Sequence, residues 1–179
     1  MKKNNLILAF TKSITYNIFL ENLSNTLCKN YNINILTTDI KNLNNNKFIN
    51  TEIKLPRRII DYFNIPMLIK DIITINIKLF KYKNSILFLH TPNVSFFLRA
   101  FLIFKFKKIV YFVHGFRFHK KEKYLKYYFF YFIEKILSFR TDFYIVINNE
   151  DEEVIKKKFN KKLLKVNGIG IVLNNKFKK

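Results

Sequence analysis

The sequence predicts an α/β fold, a doubly wound and mostly parallel sheet of about seven strands. Three observations carry this. Short apolar runs of strand length alternate with longer stretches whose apolar residues recur at helical spacing, the pattern of βαβ units. Runs such as Leu6 to Phe10 are continuous rather than alternating, as strands buried on both faces require. The polar residues with chemical capability collect just after the runs: His90, His114, Asn148 and Asn149, then Gly168 and Gly170. Strand ends of this kind share one edge of an open α/β sheet, where ligands bind.

The elements follow in order. Leu6 to Phe10 is the first strand, and the loop Thr11-Lys12-Ser13 leads from it into a helix over about Ile14 to Lys29. The apolar stripe of that helix is Ile18, Phe19, Leu23, Leu27 and Cys28. Ile33 to Thr37 is the second strand; Lys41 to Asn50 has no periodicity and reads as a surface loop. Thr51 to Leu55 reads as a third strand stopped by Pro56. Pro66 suits the first turn of a helix, where its missing N–H would be unpaired anyway. The stripe Leu68, Ile69, Ile72, Ile73, Leu79 and Phe80 carries that helix to about Lys81. Ser85 to Leu89 is the fourth strand; after it Thr91 can cap, and Pro92 can start, a helix to about Phe104. Ile109 to Val113 is the fifth strand, followed by His114 and Gly115. A long helix covers about Lys121 to Phe139, Phe143 to Ile147 is the sixth strand, and Asn148 or Asn149 caps a helix over Glu150 to Phe159. Leu163 to Val166 is the seventh strand.

A chain of 179 residues that is 49% hydrophobic buries a real core in one domain. With 3 glycines and 3 prolines, each is expected to hold a special backbone position. The single cysteine, Cys28, excludes an internal disulfide framework and fits a reducing compartment, with core packing as its role. The run Leu6 to Phe10 is too short for a signal segment, and charges interrupt every window that approaches membrane-spanning length. The net charge of +21 has two open readings: attraction to a polyanion or anionic membrane, or codon bias spread over solvated faces. The lysines are scattered and no recognition-module pattern accompanies them, so a nucleic-acid partner is not expected. No His and Cys spacing suits a metal, and neither G-x-x-x-x-G-K-[ST] nor G-x-G-x-x-G occurs, so no metal or cofactor is expected.

The segment His114 to Val172 carries His114-Gly115-Phe116, Ile133-Glu134-Lys135, Thr141-Asp142, Asn149-Glu150-Asp151 and Gly168-Ile169-Gly170, and His90-Thr91-Pro92 precedes them. In this order, and at these strand ends, they resemble the N-terminal domain of family 4 glycosyltransferases of the GT-B fold, of the capsular and exopolysaccharide type. Phe88 and Arg117 stand where that family often has further histidines. The resemblance implies a Rossmann-like, acceptor-side domain over residues 1–175 with a basic tail at 176–179. It implies that a nucleotide-sugar donor is held by a second domain absent from this chain, or by a partner chain. It also implies transfer to a glycan or lipid-linked acceptor in surface polysaccharide synthesis, by a cytoplasmic protein at the inner membrane face.

By this resemblance His114 is the main site residue, positioned to hydrogen-bond the sugar or the acceptor. Gly115, Phe116, Arg117, His90, Thr11, Lys12 and Ser13 shape the acceptor side. Gly168 and Gly170 are turn glycines at the domain edge. Glu134 is a structural partner for a nearby base such as Arg140 or Lys135, and Asp142 caps or pairs near the sixth strand. On the long helix, Leu125, Phe129, Phe132, Ile133, Ile136 and Leu137 form a stripe expected to face the sheet. Tyr127, Tyr128 and Tyr131, with Lys120, Lys121, Lys123 and Lys126, then form a basic and aromatic patch suited to an anionic membrane surface. The rival class is non-catalytic: a membrane- or partner-binding module, or the remnant of a truncated transferase gene.

Overall fold

The computed structural model describes residues 3–44, 47–56, 63–119 and 122–168. Its seven strands form one sheet in the order β3-β2-β1-β4-β5-β6-β7. They are β1 (Asn4–Ala9), β2 (Tyr31–Thr37), β3 (Ile49–Glu52), β4 (Ile86–Leu89), β5 (Lys108–Val113), β6 (Phe143–Val146) and β7 (Leu163–Lys165). Every pairing is parallel. The helices are α1 (Ser13–Thr15), α2 (Glu21–Leu27), α3 (Ile65–Phe80), α4 (Pro92–Phe101), α5 (Tyr124–Ser138) and α6 (Asn149–Val154). A π-helical turn, Tyr16–Leu20, joins α1 to α2, and another, Ile155–Phe159, extends α6.

Parallel strands need crossovers, and right-handed crossovers fix which face each helix covers. The step from β1 to β2 runs one way along the sheet; those from β3 to β4 and onward run the other way. Residues of α3, α4, α5 and the α6 extension therefore pack on one face, against Ile7, Ala9, Leu87, Leu89, Ile109, Tyr111 and Tyr144. The segment Ser13 to Leu27 packs on the other, where Tyr16 and Leu20 meet Leu6, Leu8, Phe10, Ile33 and Ile35. The period of two along each strand separates the cores. Both faces are wound, but unevenly. On the second face Val110, Phe112 and Ile145 stay half-buried, because no described crossover helix returns over β5 and β6.

Three expectations need correction. The third strand is Ile49–Glu52, starting inside the supposed surface loop, while Ile53 and Leu55 leave the ladder as buried irregular chain. The long helix begins at Tyr124, and it is rotated from the predicted orientation. Leu125, Phe129, Phe132 and Ile136 are exposed, at 84%, 60%, 63% and 51%. The inward face instead presents Tyr127, Phe130, Tyr131, Glu134 and Leu137. The aromatic residues decide the rotation: Phe118 sits edge-on to Tyr127 and Tyr131, and Phe159 stacks on Tyr131. A buried Glu134 then requires this face, since its partner lies inside. Of the expected membrane patch, Tyr127 and Tyr131 thus belong to the domain's own packing, Tyr128 and Lys126 are exposed, and Lys120 and Lys121 lie outside the described residues. No described helix is long and apolar enough to cross a membrane.

Polar side chains fix where α4 ends. Asn76 of α3 donates to the Phe101 carbonyl at 3.1 Å and accepts from the Ile103 amide at 2.8 Å. Arg140 donates to the carbonyls of Leu102 and Phe104 at 2.6 and 2.8 Å. Buried helix-end groups without partners are costly. Asn76→Ala is expected to lower stability by about 1–3 kcal/mol. Chemical denaturation checks this, and a change below about 0.5 kcal/mol would mean that water replaces the amide.

Candidate functional site

Strands β4 and β5 are neighbours, with Phe88 opposite Val110 and Leu89 opposite Tyr111. Side-chain alternation sends Phe88 and His90 to the same side as Val110, Phe112 and His114. The two histidines consequently meet where the strands end. His114 Nε2 and His90 Nδ1 lie 3.1 Å apart in a hydrogen bond, so one ring donates and the other accepts. His90 stacks on Phe112 at 4.9 Å and on Phe88 at 6.2 Å, and Phe19 stacks on it from the π-helical turn at 6.4 Å. His90 is buried, at 2% exposure, whereas His114 is half-buried. Burial first, and the neighbouring imidazole second, hold the His90 pKa down to about 3. Burial also lowers that of His114. Both rings are therefore neutral near pH 7. With Nε2 committed to His90, Nδ1 is the atom left for a further partner of His114.

The loop after β1 borders this pair and is held firmly. The Thr11 and Thr91 hydroxyls are 2.7 Å apart, and the Thr11 amide donates to Thr91 Oγ1 at 3.0 Å. The hydroxyls of Thr37 and Thr38 both donate to the Thr11 carbonyl, at 3.1 and 2.7 Å. Ser13 donates to Asp39 Oδ2 at 2.7 Å, and that bond holds the Asp39 carboxyl below its usual range. Ser13 is buried and Lys12 exposed. Thr91 starts α4 without a side-chain cap because its hydroxyl is turned to Thr11.

After His114 the chain turns at Gly115, whose φ of +142° is a conformation that residues with a Cβ rarely adopt. No atom lies within 4 Å of where a Cβ would stand, so conformation rather than space calls for glycine. Phe116 then enters the first core, stacked on Phe118 at 4.8 Å, and its amide donates to Asp151 at 3.3 Å. Asp151 also accepts from the Asn148 side chain at 2.7 Å, while Asn148 caps α6 by accepting from the Asp151 amide at 2.8 Å. Burial raises the Asp151 pKa against these bonds. Arg117 is exposed and donates to Asn93 at 2.7 Å.

Other sequence-derived candidates sit away from the histidines. Glu134 is buried in a two-pronged ion pair with Arg99, at 2.6 and 3.0 Å, so its partner is neither Arg140 nor Lys135. Asp142 starts β6 by accepting from the Ile109 amide at 2.8 Å and from Lys105 at 3.0 Å. Gly168, at φ +100°, turns the chain after β7, while Gly170 lies outside the described residues. Sequence reasoning missed Arg99, Asp39 and Phe19. Arg99 had a readable signal: an arginine on the inward stripe of an apolar helix must find a buried anion. Among the described residues, no group of three or more His, Cys, Asp or Glu side chains could hold a metal ion.

These features define a Rossmann-like parallel α/β domain with its polar residues gathered at the carboxyl edge of the sheet. Solved structures narrow the class to a GT-B-like fold. The chain is similar to the sucrose-phosphate synthase of Thermosynechococcus elongatus, with a TM-score of 0.60, 11% identity, 92% of this chain and 48% of that chain covered. It therefore spans about half the length of that enzyme. A form of the same synthase labelled 27–220 and 406–426 matches with a TM-score of 0.56, 12% identity, 90% of this chain and 87% of that chain covered. No protein-family model and no curated protein sequence matches.

Proposed function

We propose that this chain is the acceptor-side half of a glycosyltransferase of surface polysaccharide synthesis, resembling the family 4 capsular type. The carrying observation is the neutral His114–His90 pair at the ends of the central strands, in a domain folded like half of a sugar-transferring synthase. In the reaction, an acceptor hydroxyl oxygen bonds to the anomeric carbon of the donor sugar. The bond from that carbon to the nucleoside diphosphate breaks, and the diphosphate departs with the bonding pair and takes up the hydroxyl proton. His114 Nδ1 orients the reacting hydroxyl, and His90 fixes the ring through Nε2. The Thr11–Ser13 loop, braced by Thr91 and Asp39, bounds the acceptor. Gly115 and Arg117 form the far wall, while Phe116, buried against Phe118 on the other face of the sheet, anchors the loop behind them. The donor nucleotide sugar is held by a second α/β domain, in a further segment or a partner chain.

The test combines the purified chain with a donor-binding α/β domain encoded beside it and measures transfer from a nucleotide sugar. The isolated chain is expected to show no turnover. In the combined system His114→Ala is expected to lower transfer by about a hundredfold or more, the scale for losing one oriented hydrogen-bonding group at a reacting centre. Turnover by the chain alone, or undiminished transfer by His114→Ala, would overturn the reading. The exposed apolar face of α5 favours a second reading, a non-catalytic docking module, to which transfer in either form would be fatal.

A further inference from the structure

Phe19 is a large apolar side chain that belongs to neither core. It is half-buried, yet it is not among the partly buried residues packed against either cluster. Its described ring contacts are the two site imidazoles: His90 at 6.4 Å with planes 25° apart, and His114 at 6.1 Å with planes 47° apart. The segment that carries it accounts for this placement. Tyr16 and Leu20, at 1% and 0% exposure, anchor the π-helical turn in the second core and fix its rotation. Phe19 lies beside that anchored face and reaches over the ends of β4 and β5. Turns of this kind are rare overall and are frequent at functional sites. The other rings around the pair, Phe88 and Phe112, stand on the same strands as the histidines and come with them. Among the described ring contacts of the pair, Phe19 is the one supplied from a distant part of the chain.

Resting on the transferase reading, we propose that Phe19 is a positioning residue of the acceptor site: its ring caps both imidazoles and holds His114 in the one rotation that keeps Nε2 on His90 and leaves Nδ1 for the acceptor. A half-turn of an imidazole about its last bond exchanges ring nitrogens for ring carbons, and that torsion has two broad wells. The hydrogen bond to His90 selects one of them. Such a neutral bond is worth little wherever water competes for the same atoms. A ring packed over the pair excludes that water, and the bond strengthens in the lower dielectric. No charge is needed for this. Of the titratable groups on the elements around the pair, Tyr16 pairs with Ser24, Asp39 with Ser13, Asp151 with Asn148 and Arg117 with Asn93, while Lys12 is exposed. Burial is accordingly the cause that lowers the His114 pKa.

The experiment follows the imidazole nitrogens of the purified chain by NMR, which separates the two neutral tautomers and titrates His114. In the native chain His114 is expected in a single neutral tautomer at pH 7, with its two nitrogen resonances widely split. Phe19→Ala is expected to draw the two resonances together and to move the titration midpoint up toward the free value of about 6.5. Phe19→Gln, which keeps a long side chain without a ring, is expected to do the same and serves if alanine disturbs the turn. Phe19→Tyr, which keeps the ring, is expected to match the native chain, as is Ile18→Ala, 45% exposed on the same turn. With a donor-binding domain added, Phe19→Ala is expected to lower kcat about tenfold to a hundredfold with little change in acceptor KM, the pattern of a misplaced group. Unchanged His114 resonances, with a midpoint within about 0.2 unit of the native one, in both Phe19→Ala and Phe19→Gln would overturn the proposal. So would Phe19→Tyr behaving like alanine, or undiminished transfer by Phe19→Ala. The NMR readout involves no sugar transfer. The expected resonance changes without transfer by any form would sink the transferase reading alone, and native transfer indifferent to Phe19 would sink the role of Phe19 alone.

Discussion

Replacing Glu134 by alanine is expected to destabilise the domain by about 3–5 kcal/mol, the range for stranding one member of a buried ion pair. Arg99 is 1% exposed. Its guanidinium gives one nitrogen to each Glu134 oxygen, another bond to Thr141 at 3.2 Å, and its Nε to the Ser95 carbonyl at 3.1 Å. The Tyr111 ring lies 4.4 Å away. Burial alone would push the Arg99 pKa down, yet the Glu134 carboxylate outweighs burial and raises it. An arginine cannot shed its proton to escape. Without Glu134 the charge stays buried with only neutral partners. Because a domain of this kind has about 5–15 kcal/mol in total, the loss is a large share. Glu134→Gln should cost less, since an amide oxygen still accepts. Arg99→Met with Glu134→Leu should recover most of the loss, because removing both charges also removes the cost of burying them. Urea unfolding at pH 7 measures all three. A Glu134→Ala cost under about 1 kcal/mol would mean that water reaches Arg99.

The same pair shows where sequence reading stops. Periodicity located the strands other than the third within a few residues, because a strand buried on both faces needs an unbroken apolar run whatever its neighbours are. It did not orient α5. Both of that helix's long stripes are apolar or aromatic, so the pattern has no strong phase, and Phe118, Phe159 and Arg99 settled the rotation through contacts distant in sequence. The third strand failed differently. Ile49-Asn50-Thr51-Glu52 is an edge strand, so its apolar content is low and its polar neighbours resemble a loop. At the site, the placement of His90 and His114 at strand ends was legible. That they touch follows from the side-by-side register of β4 and β5, which no local pattern encodes. Asp39 and Phe19 escaped for the same reason. Each acts across the sheet edge on a loop from another part of the chain.

Acidification should therefore cost this protein stability through His90, and substitution by phenylalanine should remove that cost. In the unfolded chain a histidine titrates near 6.5, whereas in the fold burial holds His90 to about 3. Between those values the unfolded state binds the extra proton. Stability is thus complete above about pH 6.5 and is lost as pH falls through that value toward 3. For this one group the loss is about 3 kcal/mol by pH 4. Among the described contacts, neither His90 nor His114 meets a carboxylate that could offset it; the surrounding groups are the rings of Phe19, Phe88 and Phe112. A phenylalanine ring in place of the His90 imidazole would stand among those rings, while half-buried His114 can turn its released nitrogen to water. His90→Phe should accordingly differ little from the native chain at pH 7.5 and be about 3 kcal/mol less sensitive to a drop to pH 4. Comparing the two proteins cancels the acid sensitivity of Asp39, Glu122 and Glu152, whose pKa values are lowered by hydrogen bonds common to both. Denaturant unfolding at several pH values gives the difference directly. A gap that stays constant to within about 1 kcal/mol would mean that folded His90 takes up its proton as readily as a free one. The pair could then not hold His114 neutral in the manner the acceptor site requires.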